Sequence, residues 1–201
     1  MSTYQPRPGQ PADVYDLETF SFAAFFQDEK KVLHSRSMML ALSYLIEDYA
    51  ARSPETRLIA TFQRFSNYHR QLRRYRQSAP QLSQVFVLGF PDKDPPDVPN
   101  VTPIALEAGW PLVHEWVVIA WGPTCAAALV ASDDEQRAPF HKSRRFQAIW
   151  TISIAQIEPL VTAFYHAIGQ PAPRIVHDTL ATQRTTLAMQ KELTTRLRAI
   201  R

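Results

Sequence analysis

The sequence predicts an α/β domain: a mixed sheet of about five strands with flanking helices, followed by a C-terminal amphipathic helix. Two patterns carry this. An apolar run at 57–62, a helix-period segment at 65–75 and a second apolar run at 85–90 succeed one another as strand, helix, strand. That order marks a βαβ unit with neighbouring parallel strands. Farther on, the apolar runs at 115–121 and 125–131 are joined by Gly122-Pro123-Thr124, a hairpin signal. With 45% hydrophobic residues in 201, the chain can bury the core of one domain.

Taken in order, the chain divides into a lead at 1–16, a domain at 17–169, and a hinge with a helix at 170–201. Pro6, Pro8 and Pro11 oppose regular structure in the lead, which is expected to be disordered. The aromatic-rich stretch 17–26 reads as a short helix. A clear helix follows from Ser37, a plausible N-cap, because Met38, Met39, Leu42, Leu45, Ile46 and Tyr49 recur at helical spacing until Ser53-Pro54. Phe65, Tyr68, Leu72 and Tyr75 share one helix face; Tyr68, Leu72 and Tyr75 are expected to be buried, with Arg73 and Arg74 exposed. The Pro-rich stretch 91–103 is a loop, and 102–106 reads as a brief strand. The polar stretch 132–145 is a loop before a last strand at 146–152. A helix at 154–168 is closed by Gly169. The hinge 170–173 precedes a helix at 178–200, whose Met189, Leu193, Leu197 and Ile200 lie on one side.

Composition excludes several classes. One cysteine allows no intramolecular disulfide and no cysteine metal cluster. The polar N-terminus lacks the apolar core of a signal peptide, and the run Trp116 to Trp121 is far shorter than the ~20 residues that cross a bilayer. A cytoplasmic protein without membrane insertion is the expectation. Net charge is +3, and residues 61–80 hold five arginines and no acid.

No catalytic set is legible. Cys125 lies in an apolar run, where a small buried strand residue outweighs a nucleophile paired with His114. The six histidines never fall at i, i+3 or i+4, and Asp92, Asp94 and Asp97 lack the central Gly and closing Glu of a calcium loop. No phosphate loop, dinucleotide fingerprint or nucleophile elbow is present. Neither metal nor cofactor is expected. The candidate surface for a ligand or partner is Arg64, Arg70, Arg73, Arg74 and Arg76, interleaved with aromatics and suited to phosphates. The competing reading sends the aromatics to the core and the arginines to water or carboxylates.

Several motifs, in order, look like those of one family. They are Leu42-Ser43-Tyr44-Leu45-Ile46-Glu47-Asp48, Thr61-Phe62-Gln63-Arg64, Arg74-Tyr75, Val85-Phe86-Val87-Leu88, His114-Glu115-Trp116-Val117, Gly122-Pro123 and Phe146-Gln147-Ala148-Ile149-Trp150-Thr151. Together, over 32–168, they resemble the DICT domain, named for diguanylate cyclases and two-component systems. Ser132-Asp133 and Ile152-Ser153 replace charged residues that relatives tend to carry, so no ligand role is transferred to them.

The resemblance implies a non-enzymatic bacterial sensory or adaptor role beside cyclic-di-GMP and histidine-kinase outputs, with no defined ligand. No cyclase or kinase core is recognisable after Ile168, so a stand-alone form acting on a separate signalling protein is expected. The alternative is a receptor for an anionic small molecule such as a cyclic dinucleotide; a nucleic-acid-binding regulator ranks third. A homodimer is expected, with Met189, Leu193, Leu197 and Ile200 in its helix.

Overall fold

The computed structural model describes residues 16–133 and 145–200, with the side chains of 133 and 197–200 left out. The lead at 1–15 and the loop residues 134–144 lie outside the described residues. Seven strands form one sheet: β1 (Val32–Ser35), β2 (Arg57–Arg64), β3 (Gln84–Phe90), β4 (Val101–Ala105), β5 (Glu115–Gly122), β6 (Cys125–Asp133) and β7 (Arg145–Thr151). Their order is β1-β7-β6-β5-β2-β3-β4. Strands β2, β3 and β4 run parallel, and every other pairing is antiparallel. The helices are α1 (Arg36–Arg52), α2 (Phe65–Ser78), α3 (Ile154–Ala167) and α4 (Thr179–Ile200).

The α/β class, the β2-α2-β3 unit and the hairpin of β5 and β6 are as the sequence predicts. Gly122 pairs with Cys125, leaving Pro123 and Thr124 as a two-residue turn. The strand count is seven, not about five. The strand missed outright is β1: four residues are too few to show a period, and among the described residues it pairs only with β7, distant in sequence.

Three further readings are corrected. The N-cap of α1 is Ser35, not Ser37, and its Oγ accepts from Met38 N at 3.3 Å. The aromatic stretch 17–26 holds one 3-10 turn, Ala23–Phe26, in place of an α-helix. It is fixed instead by tertiary packing, with Phe22 stacked on Phe164 of α3 at 5.8 Å between centroids. Finally, Arg73 is exposed as expected, but Arg74 is only partly exposed and is engaged in ion pairs, and Leu72 is half-buried.

Alternation along the strands sends side chains to two cores. Leu58, Ala60, Val85, Val87, Val118, Ala120, Ala127 and Leu129 meet α1, α2 and α4 on one face. Ile59, Phe86, Leu88, Val117, Ile119, Ala128 and Val130 meet α3 and the aromatic turn on the other. The C-terminus of α3 closes as the sequence predicts. Gly169 takes φ +68°, Gly169 N donates to His166 O and Gln170 N donates to Tyr165 O, both at 2.9 Å. Those paired bonds are a Schellman motif, which needs a left-handed residue at that point.

Beyond the linker, α4 returns along the first face. Asp178 N and Thr182 Oγ1 both donate to Pro123 O in the hairpin turn, and Met189 is 1% exposed in the same core as α1 and β6. Among the described residues no helix is long and apolar enough to cross a membrane.

Candidate functional site

Among the described residues, the ion pairs gather where α1, α2 and α4 meet. Helix α2 begins without a side-chain cap from Arg64. Asp92 supplies one from the loop after β3, its Oδ1 accepting from Ser66 N at 2.9 Å. The helix then presents Tyr68 and Tyr75 inward and Arg74 toward α1. Arg74 Nε donates to Glu47 Oε2 and its Nη2 to Asp48 Oδ1, both at 2.6 Å. Nη2 also donates to Tyr44 O at 3.0 Å, and the guanidinium sits 4.5 Å from the Tyr44 ring centroid. Tyr75 Oη donates to the other oxygen of Glu47 at 2.9 Å.

This arrangement compensates a buried charge. Burial pushes the Glu47 carboxyl above its ordinary range, and the Arg74 guanidinium works in the opposite direction. The Tyr75 phenol is held well above its usual value by burial and by the carboxylate it faces. Burial works against the charge on Arg74, yet Glu47 and Asp48 keep it above its ordinary value. The second oxygen of Asp48 accepts from Arg196 Nη2 of α4 at 2.8 Å, and Glu192 pairs with the same guanidinium.

The structure divides the five arginines expected to form one surface. Arg74 belongs to the junction. Arg64 is exposed at the start of α2, its guanidinium 5.8 Å from the Phe90 ring centroid. Arg70, Arg73 and Arg76 form an exposed stripe on the far side of α2. On α4, Met189 and Leu193 pack against the chain's own core, while the side chains of Leu197 and Ile200 lie outside the described residues. The exposed apolar residues of this region are Val176, Leu180 and Leu187.

Sequence reasoning quoted Glu47, Asp48 and Glu115 within motifs but gave them no role. The available signal was an acid inside an otherwise apolar run, which needs a partner when buried. Glu115 opens β5 at 3% exposure. It accepts from Ser21 Oγ at 2.5 Å, Phe22 N at 3.0 Å and Ala23 N at 3.3 Å, anchoring the aromatic turn. Burial raises its pKa, and these three bonds oppose the rise. The neighbouring Trp116 Nε1 donates to Ser43 Oγ at 2.9 Å. Thr61 Oγ1 donates to Glu115 O at 2.7 Å and accepts from Val117 N at 2.8 Å.

Cys125 is fully buried, and burial pushes its thiol up to about 12. His114 ends the turn Pro111–His114, which enters β5 at the end away from Cys125. Asp92 serves as the cap described above. Among the described residues, no three His, Cys, Asp or Glu side chains gather as a metal site.

The motif residues therefore meet one another: Glu47-Asp48 with Arg74-Tyr75, Ser43 with Trp116, and Thr61 with the backbone at 115–117. Comparison with curated proteins and with solved structures gave no match. A family model, the sensory domain in diguanylate cyclases and two-component systems, matches residues 18–134, more than half of the 201 residues. That match takes in α1, α2 and the strands β1 to β6, with the contacts of Glu47 and Asp48 to Arg74 and those of Glu115 to the aromatic turn inside it and Arg196 outside it, and the chain belongs to the DICT family of sensory domains.

Proposed function

We propose that the chain is a non-enzymatic sensory adaptor that acts by contact with a separate signalling protein of a diguanylate cyclase or histidine kinase pathway. The observation supporting this reading is the shared carboxylate of Asp48. One oxygen holds Arg74 of α2 and the other holds Arg196 of α4. An event at the α2 surface that draws Arg74 away changes the field at Arg196, so the sensory fold and the terminal helix are linked through one residue. Small changes at such a packed junction are amplified when the elements have two discrete arrangements. The test is to add the purified chain to diguanylate cyclases and histidine kinases from the same cell, measuring cyclic-di-GMP synthesis and autophosphorylation. A change in one activity, lost with Asp48→Ala, is expected. No effect on any of these enzymes rejects the reading.

A homodimer is the second reading, supported by Leu180 and Leu187, each 66% exposed and seven residues apart on α4. Because Met189 and Leu193 are occupied within the chain, this outer face would form the contact. Light scattering is expected to show a dimer that Leu180→Glu with Leu187→Glu converts to monomer; a monomeric wild type rejects it. A receptor for an anionic small molecule has less support, because Arg74 is already paired and the remaining stripe is convex. Small-ligand sites are concave and converge their polar groups.

A further inference from the structure

Once the junction has taken Arg74, helix α2 still carries Arg70, Arg73 and Arg76. All three are exposed, and none makes an ion pair among the described residues. At helical rise and rotation they fall within about 9 Å along the axis and about 120° of arc, with His69 on the same side. The fourteen residues of α2 include no acid to offset them. Three like charges held this closely on a rigid element repel one another until an anion arrives.

We propose that this stripe is the docking surface for an acidic face of a partner protein. The inference rests on the partner-contact reading above and names where that contact is made. Guanidinium groups engage carboxylates in bidentate pairs, and charge complementarity of this kind sets orientation and association rate. The stripe lies on an outward helix surface, which excludes the enclosing contacts a small anion needs. Its length is also bounded. At the start of α2 the exposed charges are mixed, Asp92 and Asp94 standing with Arg64 and Lys93, and Asp92 caps the first turn. No continuous basic track for a nucleic-acid backbone extends from the three arginines at that end, whereas a compact cluster of acidic side chains needs none.

The experiment uses the full chain and fluorescence anisotropy at low salt. Three probes are compared: a fluorescein-labelled poly-glutamate peptide, a labelled DNA duplex of equal charge, and inorganic pyrophosphate as competitor. The peptide is expected to bind the wild type. It should bind roughly tenfold more weakly to the variant Arg70→Glu with Arg73→Glu and Arg76→Glu. A charge-matched control, Arg174→Glu with Arg184→Glu and Lys191→Glu in the linker and α4, should bind as the wild type does. Because the stripe is exposed, the triple variant is expected to melt as the wild type does, which circular dichroism checks. Equal peptide binding by the triple variant overturns the proposal, as does tighter stripe-dependent binding of the duplex or of pyrophosphate.

The same variants enter the cyclase and kinase assays, which separates two failures. A wild-type effect that survives the triple variant leaves partner contact standing and removes it from the stripe. Stripe-dependent peptide binding without any effect on either enzyme supports the acidic docking surface and rejects the signalling reading.

Discussion

Arg196 places its Nη2 2.8 Å from Oδ2 of Asp48, across 148 residues of chain. This contact joins the far end of α4 to the C-terminal third of α1 and puts α4 in register over the first core. Its two side chains are each 26% exposed, so its own contribution to stability is modest. Pairs of that kind contribute up to about 1 kcal/mol. Met189, on the same helix, is buried in the first core and is expected to contribute more to the attachment.

That ranking is testable by truncation. Met189→Ala is expected to cost roughly 2–4 kcal/mol in urea unfolding through lost transfer energy and a cavity. Arg196→Ala should cost about 1 kcal/mol or less while raising hydrogen exchange in the last turns of α4. Equal losses from the two substitutions would contradict the assignment.

Removing the cation at the junction should cost far more than removing the phenol. Arg74→Ala leaves Glu47, whose side chain is 5% exposed, without its counter-charge. Breaking a buried pair from one side costs roughly 3–5 kcal/mol. Tyr75→Phe deletes one hydrogen bond to the same carboxylate and should cost about 1–3 kcal/mol. Denaturant midpoints of the two variants decide the order.

Burial also gives the fold a pH dependence with a defined sign. Glu47 and Glu115 both have native values raised above the ordinary 4.5, so the native state holds their protons more tightly than the unfolded chain. Their contribution is complete below 4.5 and is lost as pH rises through the raised native values. Glu192, held low by Arg196, acts oppositely and loses its contribution as pH falls through its lowered native value. Melting temperatures measured upward from pH 4.5 should fall more steeply for wild type than for Glu47→Gln with Glu115→Gln. Parallel profiles would show that neither carboxyl titrates with folding.

Cys125 should report global opening. With the side chain buried and the thiol pushed up to about 12, a disulfide reagent at neutral pH is expected to react only with unfolded protein. Labelling rate plotted against urea should rise across the same midpoint as the circular dichroism signal. Fast labelling of the native chain would place Cys125 at an accessible site.

Much of this fold is local and therefore readable along the chain. The β2-α2-β3 unit, the hairpin at Gly122 and Cys125, and the Gly169 stop each depend on residues a few positions apart, whose periodicity or turn chemistry dictates the backbone. The exposure of Arg73 follows from the same periodicity. Strand β1 was not readable, because four residues without alternation become a strand only when β7 is there to pair with them. Nor was the aromatic turn at 23–26, whose place depends on Phe164 and Glu115. The same limit governs the site. Helical spacing puts Arg74 beside Arg73 and Arg70 in any linear reading, and only packing separates it from them. A buried Glu47 needs a cation, and α1 lies against α2 on the side where Arg74 projects. The sequence by itself determined that the chain carries a basic helix and an amphipathic terminal helix. Tertiary structure decided which arginines stay free, which apolar side of α4 is occupied, and that Asp48 stands between them, because long-range desolvation and pairing choose partners that periodicity cannot specify.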